Sequence, residues 1–321
     1  MYFHKDLYST IPSTFVQQQK ILSNSSNFTP SSPVCHFSVN TKIFFCLVNV
    51  FACTLSILAN VLFCCAVYRR PKLQKLSFVL LVSLSITDII ISLSVPFFLF
   101  TYTAFFPDWP LGQIGTDTFN SMWSFAIVAP FITVTAIAVE RYFSINRREL
   151  YQKYWTKYTM GFIVLFIWLY SLLWVYGIAS CFKHQAEIVE RYHWNIHHGL
   201  YYTFIGINVG IPLFLIPFLY HLVRRHIKFL RGSSSNNPIE ESDKAFTDSM
   251  MYVVVTLFIM WIPVLIVELF YTEFNDQCVV KIIDLINTFL SINCFLNPIL
   301  YSYGNREVRK GLLFSNSSNS D

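Results

Sequence analysis

Seven stretches of predominantly apolar residues run through this chain, at roughly 43–68, 77–103, 115–145, 157–180, 199–230, 245–271 and 279–303. A helix needs about 20 such residues to cross the hydrocarbon core of a bilayer, so each stretch is long enough to span it. Short strands of alternating polarity are absent, which excludes a membrane barrel and leaves helices, whose backbone bonds close within each segment. With 54% of residues apolar and 13% charged, a soluble globule would expose more apolar surface than it could bury. The expected fold is all-α: a seven-transmembrane helix bundle over 43–303, between a polar tail at 1–42 and a terminal segment at 304–321.

Basic residues orient the bundle, because cytoplasmic segments keep an excess of Lys and Arg. With the N-terminus outside, the inner segments hold Arg69, Arg70, Lys72 and Lys75; Arg141, Arg147, Arg148, Lys153 and Lys157; Arg224, Arg225, Lys228, Arg231 and Lys244; and Arg306, Arg309 and Lys310. Only Lys5, Lys20, Lys42, Lys183, Arg191 and Lys281 of the 23 lie elsewhere. The net charge of +5 then reflects topology, and nothing points to a nucleic-acid partner. Residues 1–42 lack the basic start, apolar run and small-residue cleavage site of a signal peptide, so the first span is expected to act as an uncleaved anchor. Asn24 and Asn27 open two glycosylation sequons in this tail; chance occurrence in an Asn/Ser-rich stretch is the competing explanation. Of eight cysteines, Cys35, Cys181 and Cys278 fall toward the outer, oxidising side, which allows one bridge and one free thiol.

Polar residues inside the spans are where chemistry is expected. Asp88 sits mid-span, where an ionised carboxylate costs at least several kcal/mol unless paired or hydrated, so it marks an ion or proton site or a neutral acid bonded within the bundle. Asn60, Asn293 and Asn297 lie at similar depth. Glu140-Arg141-Tyr142 ends the third span at the inner edge, where a positive-inside anchor would look the same. Pro263, two residues after Trp261, and Pro298 introduce hinges into the sixth and seventh spans. Residues 305–314, with Val308 and Leu312 four apart among basic residues, read as a short amphipathic helix on the inner leaflet, in contact with membrane lipid.

An asparagine in the first span, Leu84-x3-Asp88, Glu140-Arg141-Tyr142, Trp168, Pro212 with Tyr220 eight residues on, Trp261-Ile262-Pro263 and Asn297-Pro298-x2-Tyr301 together resemble the rhodopsin-like G-protein-coupled receptors. The resemblance runs from about residue 43 to 314 and implies a non-enzymatic receptor that binds an extracellular ligand and activates a heterotrimeric G protein. It implies roles as well: Glu140, Arg141, Tyr142, Tyr220 and Tyr301 as the coupling face, Asp243 as an acidic partner of Arg141, and Trp261, Pro263, Asn297 and Pro298 as the transmission. Asp88, Asn293 and Asn297 resemble an allosteric sodium pocket, although Pro130 replaces the family's serine on the third span and argues against tight binding.

Other departures narrow the reading. Thr116 stands where the family places the cysteine that pins the third span to the second outer loop, and no cysteine lies between 182 and 211. The resemblance therefore suggests Cys35–Cys278 as a substitute bridge. Melanocortin and several lipid receptors also lack the usual bridge, but Pro212 fits the melanocortin group poorly. Trp123 replaces the aspartate of amine receptors and Ser291 the retinal-binding lysine, which argues against both ligands. In the family's register the pocket is lined by Trp123, Ile127, Phe204, Asn208, Val264, Leu265, Glu268, Asp284 and Asn287. Two acids there favour a peptide or another ligand with a cationic group, a lipid being the alternative. His193 and His197, four apart in the second outer loop with His184 and His198, would suit zinc or pH sensing if helical, yet a solvated loop explains them as well. A transporter would be expected to show inverted repeats and paired broken helices, and none is seen. A binding-only decoy remains a third reading.

Overall fold

The computed structural model describes residues 39–99, 112–186, 203–231, 238–270, 292–303 and 305–312. Its long helices are α1 Val39–Arg69, α2 Leu76–Leu99, α3 Gly112–Asn146, α4 Lys157–Ala186, α5 Ile211–Arg231, α6 Pro238–Phe270 and α7 at 292–303, followed by the short α8 Arg306–Leu312. Among the described residues there is no strand. Six of these segments are long and apolar enough to cross a bilayer, and α7 is the described end of the seventh apolar stretch.

Several helices outrun the apolar stretches that locate them. α4 continues to Ala186, so Cys181 and His184 lie on helix, and α6 begins at Pro238, seven residues before the expected span. Hydropathy marks where lipid begins, whereas the helix ends where backbone bonding ends. At Pro238 the chain uses the first-turn position in which the missing N–H of proline costs nothing.

α3 runs through the middle of the bundle and packs against α2, α4 and α5, while α1 packs along α2 and carries α8 at its inner end. The core reflects this: Phe63 of α1, Leu80, Leu81 and Leu84 of α2, Phe131 and Val134 of α3, Ile216 and Tyr220 of α5, Met250 and Trp261 of α6, and Tyr301 of α7 form one cluster. The opposite faces stay apolar and open, as on α4, where Phe162, Leu165, Phe166, Leu169 and Leu173 are exposed. In lipid such a face is solvated and needs no partner.

Several buried hydroxyls within the spans bond back to their own helices. Thr87 donates to the Ser83 carbonyl, Thr133 to Ala129 at 2.7 Å and Ser171 to Ile167 at 2.7 Å, each one turn back. Just before Pro212 the fifth span widens into a π turn, Gly206–Gly210, in which the Ile211 N–H reaches the Gly206 carbonyl five residues back. Proline cannot donate the next helical bond, and the wider turn accommodates that loss.

Candidate functional site

Three places hold the residues singled out above: the inner mouth around Arg141, the buried pocket around Asp88, and the outer half of α3, α5 and α6.

At the inner mouth, Arg141 and Glu140 are both nearly inaccessible, 3% and 1% exposed. A buried charge pair is tolerable only with good geometry and further hydrogen bonds. Both conditions hold. Arg141 donates through Nε to Glu140 Oε2 and through Nη2 to Oε1, each at 2.6 Å, a bidentate pairing between chain neighbours. Ser77, near the start of α2, accepts from Arg141 Nη2 and donates to Glu140 Oε1 at 3.0 Å. Tyr151, on the inner-loop helix Arg148–Tyr154, donates to the same oxygen at 2.7 Å. Burial and then the Glu140 charge hold the Tyr151 phenol above the usual tyrosine range, so it is a donor at neutral pH.

The guanidinium carbon also sits over a ring. Arg141 Cζ lies 4.7 Å from the centroid of Phe246 on α6. Phe246 is 5.6 Å from Phe78 on α2, Phe78 is 6.5 Å from Phe63 on α1, and Phe63 is 5.1 Å from Tyr301 on α7. Tyr220 and Tyr301 are each 1% exposed, and their hydroxyls have no hydrogen-bond partner. Tyr142 is half-buried against the edge of Phe143.

In the second place, Asp88 accepts from Asn297 Nδ2 at 2.9 Å and bonds the Cys294 thiol. Asn60 donates to the Cys294 carbonyl at 3.0 Å and to the Ser56 carbonyl at 2.9 Å, and Ser92 donates to Ser56 at 2.8 Å. The result is one polar network joining α1, α2 and α7. Ser85 Oγ, Asn293 Oδ1 and Asn60 Oδ1 are buried there without partners. A carboxylate with such unpartnered neutral oxygens has the donor chemistry of a hard cation, sodium among them. Asp88, Ser85 and Asn293 would be its holders, and the buried Pro130 adds no side-chain donor from α3.

In the outer half, Phe204 and Asn208 are buried beside and within the π turn, and Asn208 donates to the Phe204 carbonyl at 3.0 Å while its own carbonyl oxygen is unpartnered. Phe204 packs on Trp174 at 5.4 Å, and Trp261 meets Phe131 edge-on at 5.1 Å. Trp123 and Ile127 lie on α3, and Asp243, Val264, Leu265 and Glu268 on α6, but their side chains are outside the described residues. So are Asn24, Asn27, Cys35, Cys278, Asp284, Asn287 and the loop histidines 193, 197 and 198 entirely. Among the described residues no group of three His, Cys, Asp or Glu could hold a metal ion.

Sequence reasoning missed Ser77, Tyr151 and Phe246. None carries a spacing signal by itself, because each reaches Glu140 or Arg141 from a different segment. A hydroxyl at the inner start of α2 and a tyrosine eleven residues after Glu140 become meaningful only once the helices are packed.

Comparison with known proteins agrees with this geometry. The family model for the seven-transmembrane receptors of the rhodopsin family matches residues 59–301. The human visual pigment-like receptor peropsin is 23% identical over 82% of this chain and 81% of its own length. The melatonin receptor type 1B-B of Danio rerio is 24% identical over 82% and 78%. The human type-2 angiotensin II receptor is 25% identical over 84% and 77%.

Proposed function

Since the chain belongs to the rhodopsin family of seven-transmembrane receptors, a non-enzymatic class that acts through G proteins on extracellular ligands, we propose that Arg141 is its coupling residue. In the resting state Arg141 lies along the inner mouth, held by Glu140, Ser77 and Phe246. When α6 swings outward about Pro263, the guanidinium is freed toward the G protein. Tyr220 and Tyr301 then close around it, with Trp261, Asn297 and Pro298 relaying the movement from the ligand. Supporting this is a single observation: a buried guanidinium near the end of the central helix, held by its neighbour Glu140 and by side chains from two other helices.

Asp243 lies on α6 three residues before Phe246, and the reading makes it an acidic partner of the same guanidinium. Sodium, held by Asp88, Ser85 and Asn293, favours the resting state weakly. The N-terminal tail faces outside, glycosylated at Asn24 or Asn27, and Cys35–Cys278 ties it to the outer rim.

The relatives' printed names span a visual pigment-like receptor, melatonin and angiotensin II. At such identities they support the family and leave the ligand to the chain's own residues. Glu268 and Asp284 at the outer rim favour a peptide or another molecule with a cationic group. Charge reversal at both acids is expected to cost such an agonist at least tenfold in potency, and unchanged potency would favour a lipid. The test of the whole reading is expression in cells, with G-protein activation, basal and with candidate ligands, measured beside ion flux. Activation without flux supports the receptor, flux without activation a channel, and ligand binding without either a decoy.

A further inference from the structure

We propose that the ring of Phe246 is itself a resting-state latch, a cation–π contact that fastens α6 to α3 by covering Arg141. The proposal rests on the receptor reading above and goes beyond it, because it assigns the latch to an uncharged side chain.

A guanidinium has two kinds of surface. Its N–H groups point outward in the plane, and here Glu140 and Ser77 engage Nε and Nη2 along that edge. Its faces carry positive charge but no donor, so a face is satisfied by the negative face of an aromatic ring. Phe246, at 4.7 Å from Arg141 Cζ and 7% exposed, supplies that ring in a site from which water is nearly excluded. Burial on both sides strengthens the contact, since the alternative for the guanidinium face is an incompletely hydrated cleft.

The ring is also held from behind. Phe78 backs it, Phe63 backs Phe78, and Tyr301 meets Phe63, so one ladder of aromatic contacts links α6, α2, α1 and α7 to the charged pair on α3. An outward swing of α6 takes Phe246 off Arg141 and off Phe78 together. A shift of α7 at Tyr301 loosens the same ladder from its other end. Movement in either helix thus weakens the hold on the other.

The contact can be graded without altering shape by replacing Phe246 with singly, doubly and triply fluorinated phenylalanine in the full-length chain. Fluorine withdraws charge from the ring face at nearly constant size. Ligand-independent recruitment of minimal G proteins to the membrane is read at matched surface abundance. Recruitment is expected to climb with each added fluorine, about two- to tenfold across the series as a contact of this kind is lost. Phe246→Leu should match the top of the series and Phe246→Trp should fall at or below the unmodified chain. A flat series, or Trp and Leu raising recruitment equally, would overturn the latch and leave the receptor reading standing. No recruitment by any of these chains, fluorinated or not, would overturn the receptor reading itself.

Discussion

Arg141 shows how one residue's surroundings set its use. Left unpaired at 3% exposure, its charge would cost several kcal/mol, which the bidentate contact with Glu140 and the Ser77 hydroxyl offset. Because the contacts are made at the inner mouth, far from any ligand, Arg141→Ala is expected to abolish G-protein activation while agonist affinity changes less than about threefold. Radioligand binding and nucleotide exchange on the same membranes check it; undiminished exchange would remove Arg141 from the coupling role. Tyr151 tests the network from its other side. Tyr151→Phe deletes a donor to a buried carboxylate, and hydrogen bonds to charged groups contribute about 1.5–3 kcal/mol. For a half-buried phenol about 1–2 kcal/mol is expected, read as a lower thermal midpoint in detergent. The folded state holds the Tyr151 proton more tightly than the unfolded chain, so its contribution is full below the ordinary value of 10.0 and fades only as pH rises beyond it. The difference between wild type and Tyr151→Phe should therefore be constant from about pH 6 to 9. A difference that shrinks across that window would contradict the protonated donor.

Among the elements, α8 depends on a contact too close for any residue but glycine. Asn305 caps the helix by accepting from the Glu307 and Val308 N–H groups, Val308 is fully buried, and Arg70, just past the end of α1, donates to the Lys310 carbonyl at 3.3 Å. A Cβ on Gly311 would lie 2.9 Å from the Ala66 Cβ. Gly311→Ala is thus expected to lower stability by about 1–3 kcal/mol, and Ala66→Gly to restore most of it when the two are combined. Thermal midpoints of the four chains of that cycle decide it, and simple additivity would mean that the two helices do not meet here. The existence of α8 was legible from Val308 and Leu312 among basic residues, but the reason for Gly311 was not, since it lies on another helix. α3 offers the second test at this scale. Pro130 denies a donor to the carbonyl four residues back and brings no oxygen to the Asp88 pocket. Replacing sodium with N-methylglucamine is expected to change basal activation less than about twofold in the wild type, whereas Pro130→Ser should make sodium clearly suppressive. Equal sodium responses in the two chains would mean that the α3 side chain does not limit the site.

Across the whole molecule, hydropathy was enough to place the spans because lipid imposes a length and a polarity on every segment that crosses it. Motif spacing was enough to place Asp88, Arg141 and Tyr301 on particular helices. Which side chains then meet, as Phe246 meets Arg141 and Asn60 meets the Cys294 carbonyl, depends on helix rotation and crossing, and no periodicity within one segment encodes that. Orientation stands between these cases. The basic clusters at 69–75, 141–157, 224–244 and 306–310 fall alternately along the chain, so that seven crossings bring all four to one side. Short loops flanking the spans are where Lys and Arg decide orientation, and these clusters lie in such loops or at helix ends. We propose on this ground that the side they share is cytoplasmic, with residue 1 outside and residue 321 inside. An epitope at residue 1 should stain intact cells and one after residue 321 only permeabilised cells. Glycosidase treatment should shift the wild type and leave an Asn24→Gln/Asn27→Gln double variant unshifted. A residue-1 epitope visible only after permeabilisation, in cells whose receptor is at the surface, would reverse the bundle. It would turn Arg141 to the outside and remove the G-protein mechanism with it.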